Sequence, residues 1–451
     1  VDLARAIIDR AEAVEPVIGA FTYRYFETAL DAARDAEARY SGQGGESRAL
    51  DGLFVAIKDA GHVAGQPTSA GSLLTNVDPQ PVTSPINTRI LEAGGIVHAR
   101  SATPEFSCSS VTWSRRWGVT RNPWNIKMTP GGSSGGAAAS LAAGTATLAT
   151  GSDIAGSIRI PAACCGIVGY KPPRGRNPVD PPFNLDFYCH TGPMARTVAD
   201  TLLFQNVLCG LHPADPTGLP RHRISAEPDA QGLRIAMSRN LGFYAVDAEV
   251  ERAMEDAARR FRDLGAIVEE IDLPWGWDVI DAAMAHLHTI FGTSIAPENS
   301  TDWELMSPYA RDFAAAGLRI TPREFLAALT RAGRMGVELN AAMAGYDLLI
   351  CPTNALPSVP ADLDVSNGTV EIGGTSVPAL LGWVMTVPFN MLSTRPAISI
   401  PFGQAANGVP IGMQIVGRSY DDDTVFAAAL AFESAAARPA WPDPSIQLTQ
   451  A

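Results

Sequence analysis

Ser133 and Ser157 stand 24 residues apart in two clusters whose residue types suit acyl chemistry. The first reads Thr129-Pro130-Gly131-Gly132-Ser133-Ser134-Gly135-Gly136. The second reads Gly151-Ser152-Asp153-Ile154-Ala155-Gly156-Ser157-Ile158-Arg159-Ile160-Pro161. Serine supplies a nucleophile, and glycine leaves main-chain N–H groups uncovered, as an oxyanion requires. Cleaving an amide also needs a base and a proton for the leaving amine. Seven histidines are present, but none sits in a recognisable Ser-His-Asp setting, and no Gly-x-Ser-x-Gly elbow feeds a strand-to-helix turn. A lysine must then be the base. Its free pKa near 10.4 has to fall by several units, which burial can achieve.

Other readings of these residues stand beside that one. Gly-Gly-Ser-Ser-Gly-Gly is also a linker composition, but apolar sequence continues on both sides. A phosphate-cradling loop needs a lysine directly after its glycines, where this chain has Ala137. Lys58 follows the apolar run Leu53-Phe54-Val55-Ala56-Ile57, and from its position alone it is either a base or a surface side chain whose stem tolerates apolar cover.

The two clusters, with Val55-Ala56-Ile57-Lys58-Asp59 upstream, resemble the amidase signature family of serine hydrolases. Asn122-Pro123-Trp124-Asn125 fits as well, as do Cys165-Gly166-Ile167-Val168-Gly169-Tyr170-Lys171-Pro172 and Gly192-Pro193-Met194-Ala195-Arg196-Thr197. So do Pro396-Ala397-Ile398-Ser399-Ile400-Pro401 and Gly412-Met413-Gln414-Ile415-Val416-Gly417-Arg418. The likeness covers most of the chain and is weakest between about Asn177 and Tyr346. The interval of 24 residues is the one the family's serine pair calls for.

This resemblance implies a division of labour. Lys58 is the general base; it takes a proton from Ser133, Ser133 takes one from Ser157, and Ser157 attacks the carbonyl. Ser133 then returns a proton to the leaving nitrogen. A cis peptide between Gly132 and Ser133 is implied too, and so is an oxyanion hole made by the N–H groups of Ile154, Ala155, Gly156 and Ser157. Gly132, Ser134, Asp153 and Arg159 support the site. Asp153 and Arg159 read as an ion pair or backbone-bonding pair that shapes the turn. One departure stands out: many members carry two glycines before the nucleophile, whereas this chain has Ala155-Gly156. A methyl at 155 is tolerable if φ there is negative.

The elements that must position these groups follow from periodicity. Ile7, Ala11 and Val14 recur at helical spacing, and Pro16 is expected to stop that helix. A second helix is expected from about Tyr25 to Ala38. Leu53–Ile57 reads as a strand buried on both faces. The small-residue run from Ala137 to Leu148 suits a tightly packed helix. Thr88–Gly95 reads as a helix closed by glycine, and Ile96–Ala99 as a strand. The proline-rich stretch from Pro172 to Asn184 is the expected irregular loop, placed to line a substrate entrance. Strands are expected at Leu233–Met237, Tyr346–Cys351, Ala397–Ile400 and Met413–Val416. Asp247 can cap a helix closed by Gly265, and Asp423–Ala435 is a closing helix. Together they predict an α/β fold: one large domain over 1–451 with a central mixed, mostly parallel sheet surrounded by helices. Its catalytic core spans about 50–200. The region of about 277–345 reads as helical, and the family resemblance implies that it is the variable part that borders the pocket. His286 and His288, two apart on a helix, point to different faces and read as packing residues rather than metal ligands.

Composition bounds the rest. The chain has 451 residues, 46% of them hydrophobic and 18% charged, with net charge −13. That charge offers no basic footprint for nucleic acid, and no apolar run is long enough to cross a membrane. Six cysteines without CxxC spacing argue against a disulfide framework or zinc site and point to a reducing cytoplasm. The chain opens on Val1, which leaves room for a removed leader. No cofactor or metal is implied. The expected state is monomer or homodimer. Three functions fit: an amidase or acylamidase acting on a neutral or apolar amide or anilide, a carbamate (urethane) or ester hydrolase with the same three residues, or the glutaminase subunit of a tRNA-dependent amidotransferase. The third needs charged groups for the α-amine and α-carboxylate of glutamine, and no such pair can be placed.

Overall fold

Among the described residues, eleven strands hydrogen-bond into one mixed sheet, and the apolar runs of the sequence supply them. The structure is a computed structural model and describes residues 1–435, 441 and 442. The first half of the chain gives β1 (Phe21–Arg24), β2 (Phe54–Lys58), β3 (Ile96–Ser101), β4 (Leu148–Asp153), β5 (Val168–Lys171) and β6 (His190–Ala195). The second half gives β7 (Arg234–Met237), β8 (Ile267–Glu270), β9 (Leu348–Pro352), β10 (Ala397–Gln404) and β11 (Pro410–Gly417). Across the sheet they run β1-β3-β2-β4-β6-β5-β10-β11-β9-β7-β8. Strands from both halves share one sheet, so the chain forms a single α/β unit.

The expected mixed sheet is present, but its parallel share is smaller than expected. β2 pairs in parallel with β3 and β4, and β7 with β8 and β9. The remaining six pairs are antiparallel. The cause lies in the connections. β10 turns straight back into β11, and β5 reaches β6 through the irregular stretch after Pro172, so neither link has the helical crossover that parallel neighbours require.

Both faces of the sheet are covered. In β9, Leu348 and Ile350 enter one hydrophobic cluster while Leu349 and Cys351 enter another, the two-residue period of a strand. Packed on these faces are Ala248–Asp263, whose first turn is capped by Asp247 accepting the Glu249 N–H at 2.8 Å, and Asp422–Ser434. The first helix, Asp2–Ile18, runs through Pro16 instead of stopping there. Val14 and Ile18, on either side of that proline, are buried in one cluster, and Gly19 in the left-handed region closes the helix. The small-residue helix spans Gly135–Ala143 and is buried throughout. It is shorter than expected because Gly144 ends it at φ 80° and Leu148 already belongs to β4. The helices Asp278–Leu287, Pro308–Gly317 and Pro322–Ala342 fill the region expected to be helical. Among the described residues, no helix is long and apolar enough to cross a membrane.

Candidate active site

The parallel strands β2 and β4 end side by side and bring Lys58 next to the second glycine-serine cluster. The Lys58 N–H donates to Thr150 Oγ1 at 3.1 Å. Its Nζ donates to Ser133 Oγ at 2.7 Å and to Ser152 Oγ at 2.8 Å. Lys58 is 3% exposed, so the surface position that its sequence context allowed is not the one it takes. Burial lowers its pKa to about 7, against the opposing pull of Asp153, Cys189 and Cys108. An amine tuned this far is available as a base near neutral pH.

Ser133 is held by its glycine neighbours. The Gly132–Ser133 peptide is cis. A Cβ at Gly132 would lie 2.6 Å from Ser109 O, so only glycine fits against that backbone. Ser134 ties the two clusters together: its N–H donates to Ser157 O at 3.1 Å and its hydroxyl to Ser152 O at 3.4 Å.

Ser157, 6% exposed, follows a turn that Asp153 organises. Asp153 Oδ1 accepts the Gly156 N–H at 2.9 Å, and Oδ2 accepts the Ile158 N–H at 3.3 Å. Arg159 donates to the same carboxylate from Nε at 3.0 Å and from Nη2 at 2.9 Å, and both side chains are fully buried. Burial alone would raise the Asp153 pKa. The Arg159 charge and hydrogen bonds outweigh it and hold the carboxyl well below the usual range. Arg159 in turn reaches Thr386 O (3.0 Å), Gln414 Oε1 (2.6 Å) and Asn390 Oδ1 (2.7 Å), which binds the turn to the far end of the chain.

The two residues before Ser157 differ in what they demand. Gly156 has φ 117°, and a Cβ there would sit 1.9 Å from Thr386 Oγ1. That hydroxyl donates to Ala155 O at 2.6 Å. Ala155 does not take a positive φ, so its methyl is accommodated. One expectation needs correcting here. The Gly156 N–H, expected to face an oxyanion, is engaged by Asp153, because the carboxylate is locked in place by Arg159 and Asn390. Ile154, Ala155 and Ser157 are left as candidate donors.

Sequence reasoning passed over Ser152, although a signal was available. Thr150 and Ser152 are two apart on a strand, share a face, and both meet Lys58. Asn390, Thr386 and Gln414 come from the distant end of the chain, and no local spacing points to them.

Two cavities meet at this centre. The larger, about 230 Å³, is lined by Lys58, Ser133 and Ser152 together with Val179, Asp180 and Phe183. The last three come from the irregular stretch expected to line an entrance. A smaller one of about 40 Å³ is lined by Ser157, Ala155 and apolar side chains including Leu287, Phe313 and Leu381. Ile154, Ser107 and Phe291 wall both. Phe291 stacks on Phe183, centroids 4.2 Å apart at 5°. His286 stacks on Tyr188 and bonds Asp186 Oδ1 at 2.7 Å, while His288 packs edge-on against Phe313. Both are packing residues. All six cysteines are free and buried.

A buried lysine bonded to a serine hydroxyl beside a second serine cluster, on a mixed α/β sheet, is an arrangement able to carry out acyl transfer. The amidase family model matches residues 2–426, and the chain belongs to the amidase signature family of hydrolases. It is 34% identical to an acylamidase of Rhodococcus erythropolis, over 98% of this chain and 92% of that one. It is 32% identical to a glutamyl-tRNA(Gln) amidotransferase subunit from Carboxydothermus hydrogenoformans, over 96% and 93%. The crystal structure of a bacterial aryl acylamidase superposes with TM-score 0.91 at 28% identity, covering 98% of this chain and 94% of that one.

Proposed function

We propose that this protein is an acylamidase that hydrolyses the amide of a small apolar acyl group through an acyl-enzyme on Ser157. The observation that carries this is the buried Lys58 amine, 2.7 Å from Ser133 Oγ. Neutral Lys58 takes the Ser133 proton as Ser133 takes that of Ser157. Ser157 Oγ then bonds the carbonyl carbon, and the N–H groups of Ile154, Ala155 and Ser157 hold the oxyanion, each such donor being worth roughly 3–4 kcal/mol of barrier. Ser133 hands a proton to the nitrogen, the C–N bond breaks, and the amine departs. Water, deprotonated along the same path, then releases the acid and restores Ser157.

The sizes of the two cavities support one placement of the substrate's halves. Ser133 protonates the leaving nitrogen and opens on the larger cavity, which therefore receives the amine. The apolar space of about 40 Å³ beside Ser157 receives a short acyl group.

The likeness to amidotransferase subunits favours glutamine as a second reading. Against it, Lys58 is the only cationic side chain among the residues lining either cavity, which leaves nothing to hold a substrate α-carboxylate. A panel of an acetanilide, an aryl carbamate, an aryl ester and glutamine tests the assignment, with a fluorophosphonate as covalent probe. Turnover of the anilide with the adduct mapped to Ser157 supports it. Labelling of another serine, or turnover of glutamine alone, overturns it.

A further inference from the structure

The larger cavity contains a carboxylate that the proton relay does not use. Asp180 is the only carboxylate among the residues lining either cavity, and among the described residues it forms no ion pair. Burial raises its pKa above the ordinary aspartate value, while Ser84, His62 and His212 pull the other way. A carboxylate in that position gains from a cationic partner, which would restore in the cavity the charge stabilisation lost with water.

Its location is fixed, although the surrounding stretch is irregular. Asn177 Nδ2 donates to Thr191 O and to Gln205 Oε1, both at 3.0 Å. The Val179 N–H donates to Asp215 Oδ2 at 2.9 Å, and the Asn184 N–H to Asp180 O at 3.0 Å. The same cavity is walled by Phe106 and the stacked pair Phe183 and Phe291. Aromatic faces beside a carboxylate suit a cation carried on a hydrocarbon. A net charge of −13 also favours the approach of cations over anions.

We propose that Asp180 is a specificity-determining residue that binds a second, protonated amine on the leaving side of the substrate. The preferred substrates are then monoacylated diamines, with the free ammonium on Asp180 and the connecting hydrocarbon against Phe183 and Phe291. This rests on the amide-hydrolase function above and on Ser133 marking the side from which the amine leaves.

Two acetanilides of equal size test it: 4′-(aminomethyl)acetanilide, cationic at neutral pH, and 4′-ethylacetanilide. The wild-type protein is expected to favour the cationic one at least tenfold in kcat/KM, chiefly through KM. Asp180→Asn should bring the ratio within twofold of one, and Asp180→Glu should retain part of the preference. A wild-type ratio near or below one, or a preference that survives in Asp180→Asn, overturns the assignment. Calorimetry with benzylammonium chloride and benzyl alcohol reads the same site without turnover. The cation should bind at least tenfold more tightly to the wild type and lose that advantage in Asp180→Asn; equal affinities overturn the proposal. If neither anilide is hydrolysed, the acylamidase function fails, and calorimetry still decides the role of Asp180.

Discussion

Lys58 Nζ lies 2.7 Å from Ser133 Oγ, and among the described residues no carboxylate pairs with it. The two facts belong together. A carboxylate against the amine would keep it charged and useless as a base. Here Asp153, the strongest acidic influence on it, is committed to Arg159. Burial then dominates, and the lysine becomes neutral close to physiological pH.

The pH dependence of activity follows with a definite sign. In the proposed mechanism Lys58 acts in its neutral form, so kcat/KM should rise with pH through about 7 and level off above. Lys58→Ala should lower turnover by a hundredfold or more, the scale of a lost general base. A pH–rate profile of both proteins checks this. Turnover of Lys58→Ala matching the wild type at pH 7 would remove the lysine from the mechanism.

Ser152 should tune that titration. Its hydroxyl accepts from Nζ at 2.8 Å and favours the charged amine. Ser152→Ala is expected to move the acid limb of the kcat/KM profile to lower pH, because the ammonium loses an acceptor. A limb that moves to higher pH contradicts this role.

Arg159→Met should be costly to stability. It leaves Asp153 buried without its cation, a loss on the order of 3–5 kcal/mol. Urea unfolding measures it. A change under about 1 kcal/mol would mean that Asn390 and the Gly156 and Ile158 N–H groups satisfy the carboxylate unaided.

How much of this was legible beforehand depends on distance along the chain. The apolar run before Lys58 specified a buried strand, and the glycines flanking Ser133 and Ser157 marked where backbone had to approach closely. Asp247 announced its helix as a local cap. The partners of Arg159 were not legible, because Thr386, Asn390 and Gln414 meet it only through the order of strands in the sheet. The parallel share was misjudged for a similar reason: strand-like runs do not say whether the chain crosses over or turns back between them. The Pro16 helix boundary failed because burial of Ile18 outweighed a local stop signal. The Gly156 N–H looked free in sequence, since the carboxylate that engages it is held in place by Asn390, far along the chain, as well as by Arg159.

The relay through Ser133 is the central claim, and one comparison tests it most directly. In the proposed relay Ser133 carries protons in both directions, from the nucleophile and to the leaving nitrogen. An anilide needs that second transfer, whereas a nitrophenyl ester with the same acyl group has a leaving group that departs unprotonated. Measuring kcat/KM for this matched pair in wild type and Ser133→Ala separates the relay from direct contact between Lys58 and Ser157. Each tenfold difference corresponds to about 1.4 kcal/mol. The relay predicts an anilide loss at least tenfold greater than the ester loss. Small and equal losses on both substrates would contradict it and leave Ser133 a structural residue.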